Sequence, residues 1–106
     1  MRANRPHKSL RVWQKAVDLV CTVFRMSAKL PKEQTYVLGA QIQRAAISVP
    51  SNIAEGMAKR SPKDRTRFLE ISQGSLSELD TQVEIARKLE MIDERTYNDT
   101  MDAIDD

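Results

Sequence analysis

Cysteine occurs once, at Cys21, so the chain can form no internal disulfide, and a reducing, cytoplasmic setting is expected. Histidine also occurs once, at His7, which leaves little for a metal site or a nucleophile–base pair. The three glycines are too scattered for a phosphate-cradling loop, and with the four prolines they leave little room for β-turns. Aromatics number only five: Trp13, Phe24, Tyr36, Phe68 and Tyr97. No apolar run approaches the roughly 18 residues that a membrane helix needs. The longest candidate, residues 8–30, is interrupted by Lys15, Asp18 and Arg25, so neither a span nor a signal peptide is expected.

What remains is rich in Ala, Leu, Ile, Met, Glu, Lys, Arg and Gln, the residues that favour helix. A chain of 106 residues is expected to be one domain with a modest core. Net charge is only +2, yet residues 1–30 carry +6, residues 31–70 carry +3 and residues 71–106 carry −7. Such polarity either pairs within an assembly or presents a basic surface to an anionic partner.

Periodicity predicts four helices. Residues 1–8, with Arg2, Arg5 and His7, form a loose basic arm ahead of a single domain over 9–106. Ser9 is the expected cap of a first helix over about 9–29, which Leu30-Pro31 stops. Two apolar seams run along it: Leu10, Trp13, Val17, Val20 and Phe24, and Val12, Ala16, Leu19, Val23, Met26 and Leu30. One seam serves an internal core, and the second asks for a further partner. The second helix is expected over about 32–60, kinked at Pro50, with a break at Val49 as the alternative. Ser61-Pro62-Lys63-Asp64 is a helix start with serine as cap and proline at the first position. It opens a third helix over about 62–89, with Leu69, Ser72, Leu76, Leu79, Val83 and Ala86 as its core seam. Asp93 caps a short fourth helix to about 105, with Tyr97, Met101 and Ile104 on its apolar face. Short connections make this an all-α, antiparallel, up-and-down four-helix bundle.

The run Gln41–Gly56 is the most distinctive stretch. Gln41, Arg44, Ser48, Asn52 and Glu55 line one stripe, the rest is almost wholly apolar, and Arg44 is the only ionisable charge between Gln34 and Ala54. A helix of this kind is expected to be buried. Folding the chain about Arg60-Ser61 sets Arg44 opposite Ser77-Glu78 and Ser48 opposite Gln73. An Arg44–Glu78 contact is therefore expected, since a buried guanidinium needs a carboxylate or several carbonyls. Gln41, Arg44, Ser48, Asn52 and Glu55, facing Gln73, Ser75 and Glu78, form either a small pocket or a buried polar network that sets helix register.

The run QIQRAAISVPSNIAEG (Gln41–Gly56), the run FLEISQGSLSEL (Phe68–Leu79), the opening LRVWQKA (Leu10–Ala16) and Pro31-Lys32-Glu33 together resemble one known family. It is the four-helix-bundle family named after proteins encoded in intervening sequences of bacterial 23S ribosomal RNA. The resemblance covers about residues 8–92. It implies a left-handed bundle assembled into a ring-shaped homopentamer, with no established enzyme activity. A related branch, the accessory variability determinants of diversity-generating retroelements, resembles a basic barrel that binds nucleic acid and a reverse transcriptase. The family's fourth helix usually runs longer than residues 93–106.

For catalysis the residues offer little: His7 and Cys21 are solitary, and Asp105-Asp106 is a pair at the chain's end. No metal or cofactor site is expected. The stronger candidate is a basic end. In an antiparallel bundle the start of the first helix and the turn between the second and third lie together. Arg2, Arg5, Lys8, Arg11 and Lys15 would then join Lys59, Arg60, Lys63, Arg65 and Arg67 in one phosphate-binding surface. No aromatics interleave with them, so binding to RNA or DNA would be indifferent to sequence. The competing class is a protein–protein interaction module that touches no nucleic acid.

Overall fold

The computed structural model describes residues 5–105. Helix α1 spans Arg11–Ser27, α2 Ala40–Ala58, α3 Pro62–Lys88 and α4 Glu94–Asp105, and no strand occurs among the described residues. Facing contacts show the path of the chain. Ser27 at the end of α1 meets Gln43 at the start of α2, and Ser48 and Val49 of α2 meet Ser75 and Ser72 of α3. Tyr97 early in α4 meets Glu84 late in α3, and Thr96 meets Lys29 just after α1. Each neighbour therefore runs antiparallel to the next, as expected of an up-and-down bundle.

The helix ends differ from the sequence expectation where capping chemistry is unusual. Ser61 caps α3 as expected, accepting from the Asp64 N–H at 3.4 Å behind Pro62. Asp93 likewise accepts from the Thr96 N–H at 2.8 Å, which opens α4. Ser9, by contrast, caps nothing. Its hydroxyl donates to the Pro6 carbonyl, Pro6–Ser9 is a 3₁₀ turn, and Leu10 is the uncapped residue before α1. The segment after Pro6 is therefore not a loose arm. The second helix does not begin at Lys32 as a regular α-helix. A 3₁₀ turn (Lys32–Gln34) and a π turn (Thr35–Gly39) precede it, so its α-helical part is shorter than predicted. Through Pro50 the helix is continuous, which excludes a break at Val49. Helix α3 ends in a Schellman arrangement: the Met91 N–H reaches the Ala86 carbonyl and the Glu90 N–H reaches that of Arg87, both at 2.9 Å. The residue that makes the turn is Glu90, at φ 58°, where glycine is usual.

The principal core joins Leu19, Val23, Met26 and Leu30 of the first helical hairpin arm to Ile42, Ala45 and Ala46, then to Leu79, Val83 and Ala86, and is closed by Ile92 and Ile104. Burial of each large aliphatic side chain here contributes about 1.5–3 kcal/mol. Of the two predicted seams of α1, the one from Ala16 to Leu30 is buried, while Val12 at its start and Phe24 of the other are exposed. The α3 seam is buried at Ser72, Leu79, Val83 and Ala86, but Leu69 is 42% exposed.

That exposure has a geometric cause. At about 1.5 Å per residue, the 27 residues of α3 reach about 40 Å and the 12 of α4 about 18 Å. Among the described residues, α4 therefore does not run beside the start of α3. A smaller cluster of Ala16, Val49 and Ile53, flanked by Trp13 and Leu76, forms the core there.

Candidate nucleic-acid interface

The end of the bundle at the start of α3 is also where the cations gather. Gly56 lets α2 and α3 close tightly just before their connecting turn: a Cβ at that position would lie 3.2 Å from the Phe68 Cβ and 3.3 Å from the Arg65 carbonyl. The turn is locked by the Arg65 side chain, whose Nε donates to the Lys59 carbonyl at 2.7 Å. Lys59 in turn pairs with Glu55 at 3.7 Å. On the flank, the 3₁₀ turn at Pro6–Ser9 packs on α2, and Arg5, Pro6 and His7 share a cleft with Ser51, Ala54, Glu55, Met57 and Ala58. The Gln14 side-chain amide donates to the Lys8 carbonyl at 2.9 Å and ties that turn to α1. Val12 and Lys15 of α1 line the same groove as Ile53 and Leu69, which places the start of α1 at this level too.

Arg5, Lys8, Arg11, Lys15, Lys59, Arg60, Lys63, Arg65 and Arg67 thus share one end of the molecule. Glu55, Asp64 and Glu70 are the carboxylates beside them. All of these cations are exposed except Lys15 and Lys59, which are half-buried. Arg2, the tenth predicted cation, lies outside the described residues. Phe68 carries two of the group on its ring, with Lys59 Nζ 5.3 Å and Arg67 Cζ 5.4 Å from the centroid. Sequence reasoning placed these lysines and arginines together but missed their supports, Gly56 and Phe68.

The polar stripe of α2 is reduced to a much smaller feature. Gln41, Arg44, Glu55, Gln73 and Glu78 are exposed, and only Ser48, Asn52 and Ser75 are half-buried. The Ser48 and Ser75 hydroxyls share a hydrogen bond of 2.7 Å, and Asn52 donates to both the carbonyl and the hydroxyl of Ser48 at 2.8 Å. Beside them, buried Ser72 donates to the Val49 carbonyl at 2.9 Å. Arg44 makes no hydrogen bond or ion pair with Glu78; with its head group in water, it needs no buried partner. Ser48 faces Ser75, two residues beyond the expected Gln73. These three side chains couple α2 to α3 and enclose no pocket.

A more apolar groove also adjoins the basic end. This groove, of about 330 Å³, runs in line with the last turn of α4, lined by Val12, Ala16, Leu19, Val49, Ile53, Leu69 and Leu76 among others. Its walls are mostly apolar, with Lys15, Ser72 and Gln73 as the polar members, and these form no constellation for chemistry. Cys21 is exposed, and among the described residues no group of histidine, cysteine and carboxylates could hold a metal ion. No helix of the described residues is long and apolar enough to cross a membrane.

A family model described as 23S rRNA-intervening sequence protein matches residues 8–106. A search of curated proteins found no match to the chain.

Proposed function

The chain belongs to the 23S rRNA-intervening sequence protein family, and from that premise we propose that it is a non-enzymatic, homo-oligomeric bundle that binds nucleic acid through its basic end. The observation that carries this reading is the convergence of cations from three sequence regions, residues 5–15, 59–60 and 63–67, on one end of the bundle. Phosphate contacts of this kind release condensed counterions, so affinity falls steeply with salt. Repetition of the end around a ring, the homopentamer that the family resemblance implies, would multiply the contacts without new chemistry. Filter binding of a generic RNA at low and high salt tests the proposal. Retention at low salt that is lost at high salt supports it; no retention at low salt refutes it.

A second reading is favoured by a different observation. Val12, Tyr36, Val37, Ile47, Leu69, Ile71, Ile85 and Leu89 are all exposed by 41% or more, which leaves large apolar side chains on the surface of the single chain. They suit contact with further copies of the chain or with a partner enzyme such as a reverse transcriptase. Sedimentation of the purified chain tests this: a stable monomer would refute self-assembly.

A further inference from the structure

We infer that the basic end takes double-stranded nucleic acid in preference to a single strand of the same length, reading phosphate density alone. The inference rests on the nucleic-acid binding proposed above and narrows its substrate class. Single strands are held without sequence preference by combining a basic groove with aromatic side chains on which bases stack, at about 1–3 kcal/mol per base. The rings at the basic end, those of Trp13, His7 and Phe68, are all half-buried and engaged with one another or with cations. Trp13 is half-buried against the Ala16, Val49 and Ile53 cluster and takes the His7 ring in an edge contact at 4.9 Å and 66°. Phe68 is half-buried, with Lys59 and Arg67 over its ring and its Cβ close to Gly56. Tyr36, the most exposed aromatic at 91%, lies at the opposite end of the bundle, beside the close of α1.

The charge, by contrast, is available. The charged groups of Arg5, Lys8, Arg11, Arg60 and Lys63 are exposed and form no hydrogen bond or ion pair among the described residues. A duplex presents one negative charge per roughly 1.7 Å of axis, about twice the density of one strand. With stacking unavailable, the single strand has nothing to offset that deficit. The salt dependence separates the two forms as well, with a log–log slope of about −0.9 per phosphate neutralised on a duplex and about −0.7 on a single strand.

The test uses the full chain, titrated into a short labelled DNA duplex and into one of its strands alone. Anisotropy is read at about 50 and 200 mM salt while Trp13, the only tryptophan, reports through its own fluorescence. Duplex binding tighter by about tenfold at the lower salt, with the steeper slope and unchanged Trp13 emission, is expected. Single-strand binding of equal or greater affinity, or quenching of Trp13 by the single strand, would overturn the inference while leaving nucleic-acid binding intact. Binding of neither form at the lower salt would overturn both. Arg60→Gln with Lys63→Gln supplies an independent reading, since both side chains are exposed and the fold does not depend on them. Circular dichroism should be unchanged and the duplex slope shallower by roughly two; an unaltered slope counts against the assignment.

Discussion

Two glycines on neighbouring helices should respond to the same substitution with opposite signs. Alanine in a helix interior is favoured over glycine by about 0.5–1 kcal/mol, because glycine loses more conformational freedom on folding. Gly74 is exposed in the middle of α3, and a Cβ built there meets nothing within 4 Å. Gly74→Ala should therefore stabilise the fold by nearly the full increment, raising Tm by roughly 4 °C. Gly56 lies in the last turn of α2, where helix propensity counts for less, and it faces α3 across a closed gap. Its new Cβ would stand 3.2 Å from the Phe68 Cβ and 3.3 Å from the Arg65 carbonyl oxygen. Neither neighbour is the tip of a flexible side chain, so relief requires the helices to part. Overpacking of this kind costs about 1–3 kcal/mol, which outweighs the propensity gain. Gly56→Ala should thus fall about 2 kcal/mol below Gly74→Ala in urea unfolding followed by circular dichroism, with equal m-values. Equal stability of the two variants would refute the idea that rigid backbone sets the α2–α3 approach at the basic corner.

Glu90→Gly should stabilise by about 1 kcal/mol, because glycine adopts the left-handed conformation at φ 58° without the Cβ penalty; equal denaturation midpoints would contradict this. Ser61→Ala removes the acceptor for the Asp64 N–H and should cost about 1 kcal/mol, whereas Ser9→Ala, which caps nothing, should be near neutral in the same urea series. The Asp93 carboxyl is held below its ordinary value by its hydrogen bonds from Thr96. Its contribution is present above the usual carboxylate range and is lost as pH falls through the depressed value, which carbon-detected NMR titration of Asp93 would follow. Tyr97 is shifted the other way, since its hydroxyl donates to Glu84. Its contribution is intact below the ordinary tyrosine range and is lost as pH rises through the raised value, so ultraviolet titration should show a phenol ionising above that range, and Glu84→Gln should bring the transition down.

Helix number, order and direction were legible because they depend on local chemistry. Ser61-Pro62 and Asp93 carry cap side chains that act over three residues, and both ends fall where expected. The ends that were misplaced lack such a marker. Leu10 opens α1 with no capping side chain, whereas the end of α3 falls where expected although Glu90, and not glycine, makes its turn. Pro31 precedes the irregular Lys32–Gly39 entry into α2, but a proline there equally suits the first turn of a regular helix, so the apolar pattern does not distinguish the two.

The polar stripe of α2 shows a deeper limit. A helical wheel states which residues share a face, but the direction of that face depends on how many neighbours the helix has. Charge-poor sequence from Gln34 to Ala54 predicts neighbours all round, and with them burial of Arg44 and its companions. In the structure α2 packs mainly on α3 and α1, leaving Gln41, Arg44, Ile47, Ser51 and Glu55 along an open side. Charge is scarce there, yet the surface is wet in a single chain. Ile47 at 46% exposure sits in the middle of that side, and Ile71 and Ile85 are exposed on neighbouring α3. Ile47, at the centre of a face whose charges are Arg44 and Glu55, is the place to test the homo-oligomer proposed above, and Ile47→Lys provides the discriminating substitution. In the monomer it adds a solvated charge at an already exposed site and should change unfolding by no more than about 0.5 kcal/mol. If this face joins copies, the variant should sediment as smaller species than the parent chain at equal concentration. Unchanged sedimentation of a parent oligomer would move the interface elsewhere.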